Sequence, residues 1–197
     1  MSQNEITLKK VIDVKSLLPG DLVLCSAVAP DFIQRNIRLV QARGGYAQEH
    51  ARWEHAAVYI GNGVLCEATR HGVQREMLSS YVGSHHIRFR RDLKLTSDER
   101  YEVAIAALSL QAHSYNLLEI FRLIKVARLG FNNHAKATIR TSGFPKRAMI
   151  CSELYADSYA KATRRIVGNI AGGEVTPASL SADPGLTDVQ AYWLSIG

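Results

Sequence analysis

The segment Trp53–Thr69, WEHAAVYIGNGVLCEAT, constrains the fold most, because it predicts two short strands joined by a tight turn. Ala56–Ile60 holds the small, branched and aromatic residues that are common in strands. The Gly-Asn-Gly sequence at 61–63 tolerates positive φ, as a hairpin turn requires. Val64–Thr69 then provides the returning strand, so we expect a β-hairpin here.

Two polar residues of this hairpin, His55 and Glu67, do not suit an apolar core face. Side chains alternate between the faces of a strand, so His55 shares a face with Ala57. Pairing of Ile60 with Val64 across a three-residue loop would place Ala57 opposite the glutamate, with the histidine as its diagonal neighbour. A one-residue slip would turn the glutamate to the other face. A histidine oriented by a carboxylate is the base half of a nucleophilic catalytic site.

One of the three cysteines is suited to be the nucleophile. Cys25, Cys66 and Cys151 are too few and too scattered for a disulfide framework, which favours a reducing compartment. Cys151 begins a segment that predicts a helix to about Val167, and the partial positive charge of a helix N-terminus favours the thiolate. The other two cysteines lie inside apolar strands, where burial disfavours it. We therefore predict that Cys151 is the reactive thiol.

The rest of the sequence predicts an α+β protein with a small antiparallel sheet packed against helices. Thr96 and Glu99 have the spacing of a capping box at the start of a helix. The further predicted strands are Leu22–Val28, Gly72–Met77 and Ile87–Arg91. The further predicted helices run from Asp31 to near Gly44, from Arg100 to about His113, and over Leu117–Leu129.

The segment Phe131–Ala148 is polar and basic, and it is unusually long for a connection inside a compact domain. Such loops are often lids or binding loops, and its positive charge could meet a phosphate or carboxylate of a substrate. Lys136 and Arg140 are our candidate substrate-binding residues on that basis. The alternative, a mobile surface excursion, stays open.

Composition restricts the class of protein and its partners. With 47% hydrophobic and 21% charged residues, the chain of 197 residues is typical of one globular domain. The first residues do not resemble a signal peptide, and no run of eighteen apolar residues occurs. We therefore expect a cytoplasmic protein unless it is exported by a non-classical route.

The net charge of +6 favours anionic partners but does not identify one. We expect no nucleic-acid partner, because no recognition motif is present. Peripheral membrane contact and the oligomeric state stay open.

A metal site is a weak alternative for the same residues. His55, Glu67 and Cys151 could ligate zinc, but the sequence has no paired-ligand spacing such as C-x-x-C or H-E-x-x-H. We therefore expect no metal and no cofactor.

Four short motifs stand out along the chain. They are the Pro-Gly-Asp turn at 19–21, the HAAVYIGNG run at 55–63 with Glu67 following, the CSEL sequence at 151–154 and the TPASL sequence at 176–180. Together they resemble the motifs of the circularly permuted papain-like proteins. These are permuted relatives of the NlpC-type cell-wall amidases, and they include the YiiX/YebB-like bacterial proteins and lecithin:retinol acyltransferase. Permuted members carry the histidine strand before the cysteine helix, as this chain does.

The resemblance implies a single permuted papain-like domain over residues 1–197, with a core of about 17–188. It implies that Cys151 is the nucleophile, His55 the general base and Glu67 the residue that orients it. The backbone N–H groups of Cys151 and Ser152 are the expected oxyanion donors. The implied activity is hydrolysis of an amide or ester bond through an acyl-enzyme, with a small peptide, amide or lipid ester as substrate. The alternatives are a lipid acyltransferase or phospholipase of the same fold and a non-catalytic binding module.

Overall fold

A six-stranded antiparallel sheet lies at the centre of the protein. The computed structural model describes residues 10–110, 114–115, 148–168 and 174–195. The strands in chain order are β1 Lys10–Asp13, β2 Leu22–Ala27, β3 His55–Gly61, β4 Val64–Thr69, β5 Gly72–Met77, β6 His85–Arg91, β7 Ser114–Tyr115, β8 Ala148–Met149, β9 Thr187–Val189 and β10 Tyr192–Ser195. The sheet has the order β5-β4-β3-β2-β6-β9, while β1 pairs with β10 and β7 with β8.

Helices cover one face of this sheet. They are α1 Phe32–Arg43, α2 Gln48–Ala51, α3 Ser97–Ser109, α4 Cys151–Thr163 and α5 Pro177–Ala182, with short 3-10 helices at Val14–Ser16 and Leu78–Tyr81. On that face Leu24 and Val58 pack in one apolar cluster with Leu154 of α4. On the other face Val23 and Tyr59 pack with residues near the N-terminus, including Ile12. The α+β class is thereby confirmed.

The apolar sequence of β2 explains its central place. All six residues of the strand are buried, because helices cover one of its faces and the second cluster covers the other. A near-continuous apolar run is what a strand buried on both sides requires. The predicted strand is confirmed, although it ends at Ala27 rather than Val28.

The Pro-Gly-Asp turn fixes the entry into β2. Gly20 has a φ of 84°, and a Cβ there would lie 2.9 Å from the carbonyl oxygen of Arg100, so only glycine fits without a shift. The carboxylate of Asp21 is fully buried and pairs with Arg91 at 2.6 Å. It also accepts a hydrogen bond from the backbone N–H of Leu18 at 2.8 Å. These contacts tie the start of β2 to β6.

The central hairpin has the predicted strands and one difference in pairing. Val64 pairs with Gly61 rather than with Ile60, and the ladder is irregular between Tyr59 and Gly61. The loop is thus shorter than predicted, and the extra residue on β3 compensates for it. Ala57 therefore lies opposite Glu67, as the sequence predicts.

Two helices differ from their predicted bounds. Helix α3 begins at Ser97 rather than Arg100 and ends at Ser109, although its capping box between Thr96 and Glu99 is confirmed. Helix α4 ends at Thr163 rather than near Val167, since Arg164 takes a left-handed conformation with a φ of 58°. The chain then turns so that Arg165 reaches Asp92 at 3.2 Å, which accounts for the earlier end.

Several sequence predictions lie outside the described residues. They are the helix Leu117–Leu129 and nearly all of the basic connection, including Lys136 and Arg140. Within the ranges that the structure describes, no helix is both long enough and apolar enough to cross a membrane.

Candidate active site

The hairpin brings the predicted histidine and carboxylate into direct contact. His55 is the first residue of β3, and Glu67 lies on β4 opposite Ala57, which is two residues from the histidine and on the same face of the strand. Nε2 of His55 lies 2.8 Å from Oε2 of Glu67. The glutamate side chain is only 3% exposed and the histidine 21% exposed. The imidazole thus has a fixed, buried carboxylate on one side and limited access to solvent.

Cys151 acts on the same imidazole from another element. It is the first residue of α4, and its thiol is one of the groups that raise the pKa of His55. Because Glu67 holds Nε2, Nδ1 is the ring nitrogen that the carboxylate leaves available. Side chains from β3, β4 and α4 therefore meet at one imidazole, which is the arrangement of a thiol nucleophile with an oriented base.

The charges of these neighbours change the affinity of His55 for a proton. Burial lowers the pKa of an imidazole, but the hydrogen bonds and negative charges of Cys151 and Glu67 outweigh it and raise the pKa of His55 to about 10. Burial also raises the pKa of Glu67, yet hydrogen bonding and the positive charge of His55 hold it below the usual range. An imidazolium beside the ionised carboxylate of Glu67 follows at neutral pH.

Two further side chains bind Glu67, and neither is among the site residues predicted from the sequence. Tyr81, at the end of the 3-10 helix after β5, donates its hydroxyl hydrogen to Oε2. Nε2 of Gln74 donates to Oε1 at 3.3 Å. Gln74 lies directly opposite Glu67 in the β4–β5 ladder. The tight turn between those strands could therefore have predicted this pairing from the sequence. No spacing in the sequence points to Tyr81.

A buried ion pair supports the histidine end of β3, and it too was missed. Glu54 directly precedes His55, and its Oε2 lies 2.9 Å from Nε of Arg38 on α1. Nη2 of the same arginine donates to the carbonyl oxygen of Ala27 at 2.7 Å. The pair therefore fixes α1 against the ends of β2 and β3.

Helix α1 also contacts the segment that carries the thiol. Ile150, directly before Cys151, packs against Ile33, Ile37 and Val40 of α1. One helix thus contacts both the histidine strand and the approach to the cysteine helix, and it helps to set the distance between them.

The start of α4 leaves backbone donors near the sulfur. The N-cap residue is Ile150, which has no side-chain oxygen to accept a hydrogen bond from the first turn. The first N–H groups of a helix have no intrahelical partner. Ser152 is fully buried, and its hydroxyl donates to the carbonyl oxygen of Val175 at 2.7 Å. The N–H groups of Cys151 and Ser152 therefore have no acceptor within the helix.

The other two cysteines lie in environments that oppose the thiolate. Cys25 is fully buried on β2, and burial together with the nearby carboxylates raises the pKa of its thiol well above the usual value. Cys66 lies on β4 and faces the helical side of the sheet, away from Glu67. Burial raises the pKa of its thiol to about 11. Both therefore stay protonated near neutral pH.

Among the described residues, no group of three or more histidine, cysteine, aspartate or glutamate side chains is arranged to hold a metal ion. His55 uses Nε2 for the carboxylate of Glu67, and its imidazole is also acted on by Cys151. That arrangement suits proton transfer among the three side chains rather than three ligands that converge on one point.

Comparison with solved structures relates this architecture to a known bacterial protein. The metalloprotein YiiX from Escherichia coli O157:H7, DUF1105, matches with a TM-score of 0.59 and 15% sequence identity, over 90% of this chain and 98% of that one. The chain has a YiiX-like fold. The predicted resemblance to the YiiX-like group is thus confirmed at the level of the fold. No protein-family model matches the sequence, and no curated protein matches it either.

Proposed function

We propose that this YiiX-like protein is a cysteine-dependent hydrolase that cleaves an amide or ester bond through an acyl-enzyme. One observation carries the proposal: Nε2 of His55 lies 2.8 Å from the buried carboxylate of Glu67, and Cys151 at the start of α4 acts on the same imidazole and raises its pKa. The permuted papain-like arrangement of a histidine strand before a cysteine helix belongs to the same proposal.

The first half of the reaction forms the acyl-enzyme. The thiolate of Cys151 attacks the substrate carbonyl carbon, and a C–S bond forms while the carbonyl oxygen takes up the negative charge. The backbone N–H groups of Cys151 and Ser152 donate hydrogen bonds to that oxygen. As the C–N or C–O bond breaks, the protonated His55 gives its proton to the leaving amine or alcohol.

The second half releases the acid. His55, now neutral, accepts a proton from a water molecule, and the resulting hydroxide attacks the thioester carbonyl. The C–S bond breaks, the carboxylic acid leaves, and the cysteine and histidine return to their starting state. Throughout both halves Glu67 holds Nε2, which keeps Nδ1 directed at the sulfur and stabilises the imidazolium.

A second candidate is a lipid acyltransferase or phospholipase that uses the same residues. It is favoured by a cavity of about 230 Å³ between the 3-10 helix Leu78–Tyr81 and the chain near the N-terminus. Its lining is largely apolar and includes Val11, Ile12, Val14, Leu78 and Val82. Asn62, Gly63 and Met77 also line the cavity, so an acyl chain held there would lie at the turn end of the β3–β4 hairpin.

Mass spectrometry of the intact protein tests the proposal. The purified protein is incubated with a peptide amide panel, an activated ester and phosphatidylcholine vesicles, and any adduct is mapped by peptide digestion. We expect an acyl group on Cys151 from the amide or the ester, and none in Cys151→Ala. Acylation by phosphatidylcholine alone would favour the second candidate.

Because the solved neighbour is described as a metalloprotein, the same experiment includes a test of metal dependence. A thiol mechanism should proceed at an unchanged rate after dialysis against a chelator. Loss of adduct formation on chelation, with recovery on adding zinc, would contradict the proposal and favour a metal-dependent reaction. Absence of any adduct on Cys151 with every substrate class would favour a binding module.

A further inference from the structure

Tyr81 makes two separate contacts with the candidate site. Its hydroxyl donates a hydrogen bond to Oε2 of Glu67, the same oxygen that binds Nε2 of His55. Its ring lies nearly parallel to the imidazole, with 6.0 Å between ring centroids and 14° between ring planes. One side chain therefore contacts both the carboxylate and the imidazole.

We propose that Tyr81 is a positioning residue of the site, which holds the carboxylate of Glu67 in the orientation that directs His55 at Cys151. The inference rests on the proposed function and adds a fourth residue to it. Tyr81 acts through the other side chains and has no role in bond making.

The requirements of a buried carboxylate explain why a hydroxyl is needed here. Glu67 is almost inaccessible to solvent, so its oxygens depend on protein donors rather than water. Oε2 accepts from His55 and Tyr81, and Oε1 accepts from Gln74. Loss of the phenol leaves Oε2 with a single donor and frees the carboxylate to rotate. The hydrogen bond to His55 would then be less well directed.

The phenol is a dependable donor because it does not ionise. Burial and the negative charge of Glu67 raise the pKa of Tyr81 far above its usual value. The ring is held in place by an edge contact with His85, at 5.0 Å between centroids and 68° between planes. Tyr81 thus keeps its proton at neutral pH, and its ring is held in position.

Hydrogen bonds to a charged carboxylate favour its ionised form, so removal of one should raise the pH at which Glu67 becomes protonated. The titratable groups that act on this carboxylate, or that it acts on, come from several elements. They are His55 on β3, Cys25 on β2, Cys66 on β4, Tyr81 and His85. The substitution Tyr81→Phe changes only the phenol and leaves the others in place.

The test is the pH dependence of Cys151 alkylation by iodoacetamide, which needs no substrate. In Tyr81→Phe we expect the rate at neutral pH to fall several-fold. We also expect the acid limb of the profile to move up by about one pH unit. Glu67 loses a donor, so it becomes protonated at a higher pH and then no longer orients His55. A residue that only fills space would leave that limb in place, since phenylalanine has the same ring.

Tyr59→Phe is the matched control. Tyr59 is buried on the same face of the sheet, and its hydroxyl accepts a hydrogen bond from the N–H of Gly63 at 3.0 Å. It should lose as much stability as the Tyr81 variant while keeping the wild-type pH profile. A protein with 3-fluorotyrosine at position 81 keeps the hydroxyl, so it should show the wild-type profile that Tyr81→Phe loses.

Failure of this inference and failure of the proposed function have different signatures. If Tyr81→Phe and Tyr59→Phe give the wild-type profile, while His55→Ala slows alkylation strongly, Tyr81 is structural and the thiol site stands. If His55→Ala also alkylates like the wild type, the thiol mechanism and the inference fall together.

Discussion

Oε2 of Glu67 lies 2.8 Å from Nε2 of His55, and the two residues are separated by twelve positions along the hairpin. The contact exists because Ala57, and not a neighbour, lies opposite the glutamate. A shift of one residue would have placed the carboxylate on the helical face with Cys66. The register of the β3–β4 ladder thus determines whether the site can form at all.

The first prediction concerns the charge of this carboxylate. Glu67→Gln should slow the acylation of Cys151 by an activated ester by about tenfold or more, because a neutral amide stabilises the imidazolium less well. The fold should survive, since an amide can still accept from Tyr81 and pair with Gln74. The loss should be much smaller than in His55→Ala.

Glu102→Gln, on the exposed surface of α3, is the control for this variant. It removes the same charge away from the site and should acylate at the wild-type rate. Equal rates in Glu67→Gln and Glu102→Gln would remove Glu67 from the site.

The second prediction concerns the proton on His55. With a pKa raised to about 10, the ring should be protonated at pH 8, where an ordinary histidine with a pKa of 6.5 is neutral. NMR titration of the ring protons should show this directly. Cys151→Ala removes one of the groups that raise the pKa, so in that variant His55 should lose its proton at a lower pH.

His85 is an internal reference, because burial lowers its pKa and it should titrate below 6.5 in both proteins.

The raised pKa of His55 also has a consequence for stability. The folded state binds more protons than the unfolded state between pH 6.5 and about 10. The stabilising contribution is therefore complete below 6.5 and lost as the pH rises through 10, which urea unfolding at several pH values would measure. A His55 ring that is neutral at pH 8 would contradict both expectations.

The third prediction concerns which thiol reacts. Cys151 is 7% exposed and acts on the imidazole of His55, whereas Cys25 and Cys66 are fully buried and their thiols have raised pKa values. Limited treatment with iodoacetamide at pH 7 should label Cys151 first, and peptide mapping would identify it. Labelling of either strand cysteine before Cys151 would exclude the proposed nucleophile.

Local patterns were enough to predict the elements that build this site. The alternation in the hairpin indicated which residues share a face with His55, and the apolar strands distinguished Cys25 and Cys66 from the cysteine at a helix start. The bulge at Ile60 was not predictable, because its cause is how the turn closes rather than which residues favour strands. The site was unaffected only because the shorter loop and the extra strand residue offset each other.

The supporting residues are a different case. Tyr81 follows Glu67 by fourteen positions, with a further strand and a 3-10 helix in between. Arg38 reaches Glu54 from another helix. Contacts of this kind depend on how elements pack in three dimensions, so no spacing along the chain reveals them. The basic connection with Lys136 and Arg140 stays a prediction.

The last prediction concerns the ion pair between Arg38 and Glu54, which holds α1 against the site. Arg38→Met leaves the buried carboxylate without its cation and should lower the free energy of unfolding by about 3 kcal/mol, measured by urea denaturation. Alkylation of Cys151 should slow as well, since α1 also packs on Ile150. Adding Glu54→Gln removes the uncompensated charge, so the double variant should regain part of the lost stability.

Arg35→Met is the matched control for this ion pair, because Arg35 is exposed on the same helix. Within the described part of the chain, its side chain donates only to the nearby carbonyl oxygen of Asp31, at 3.2 Å. Its effect on the free energy of unfolding should be about 0.5 kcal/mol or less. If Arg38→Met unfolds at the same urea concentration as Arg35→Met, the pair does not hold α1. If Arg38→Met is destabilised but alkylates at the wild-type rate, α1 supports the fold without setting the geometry between His55 and Cys151.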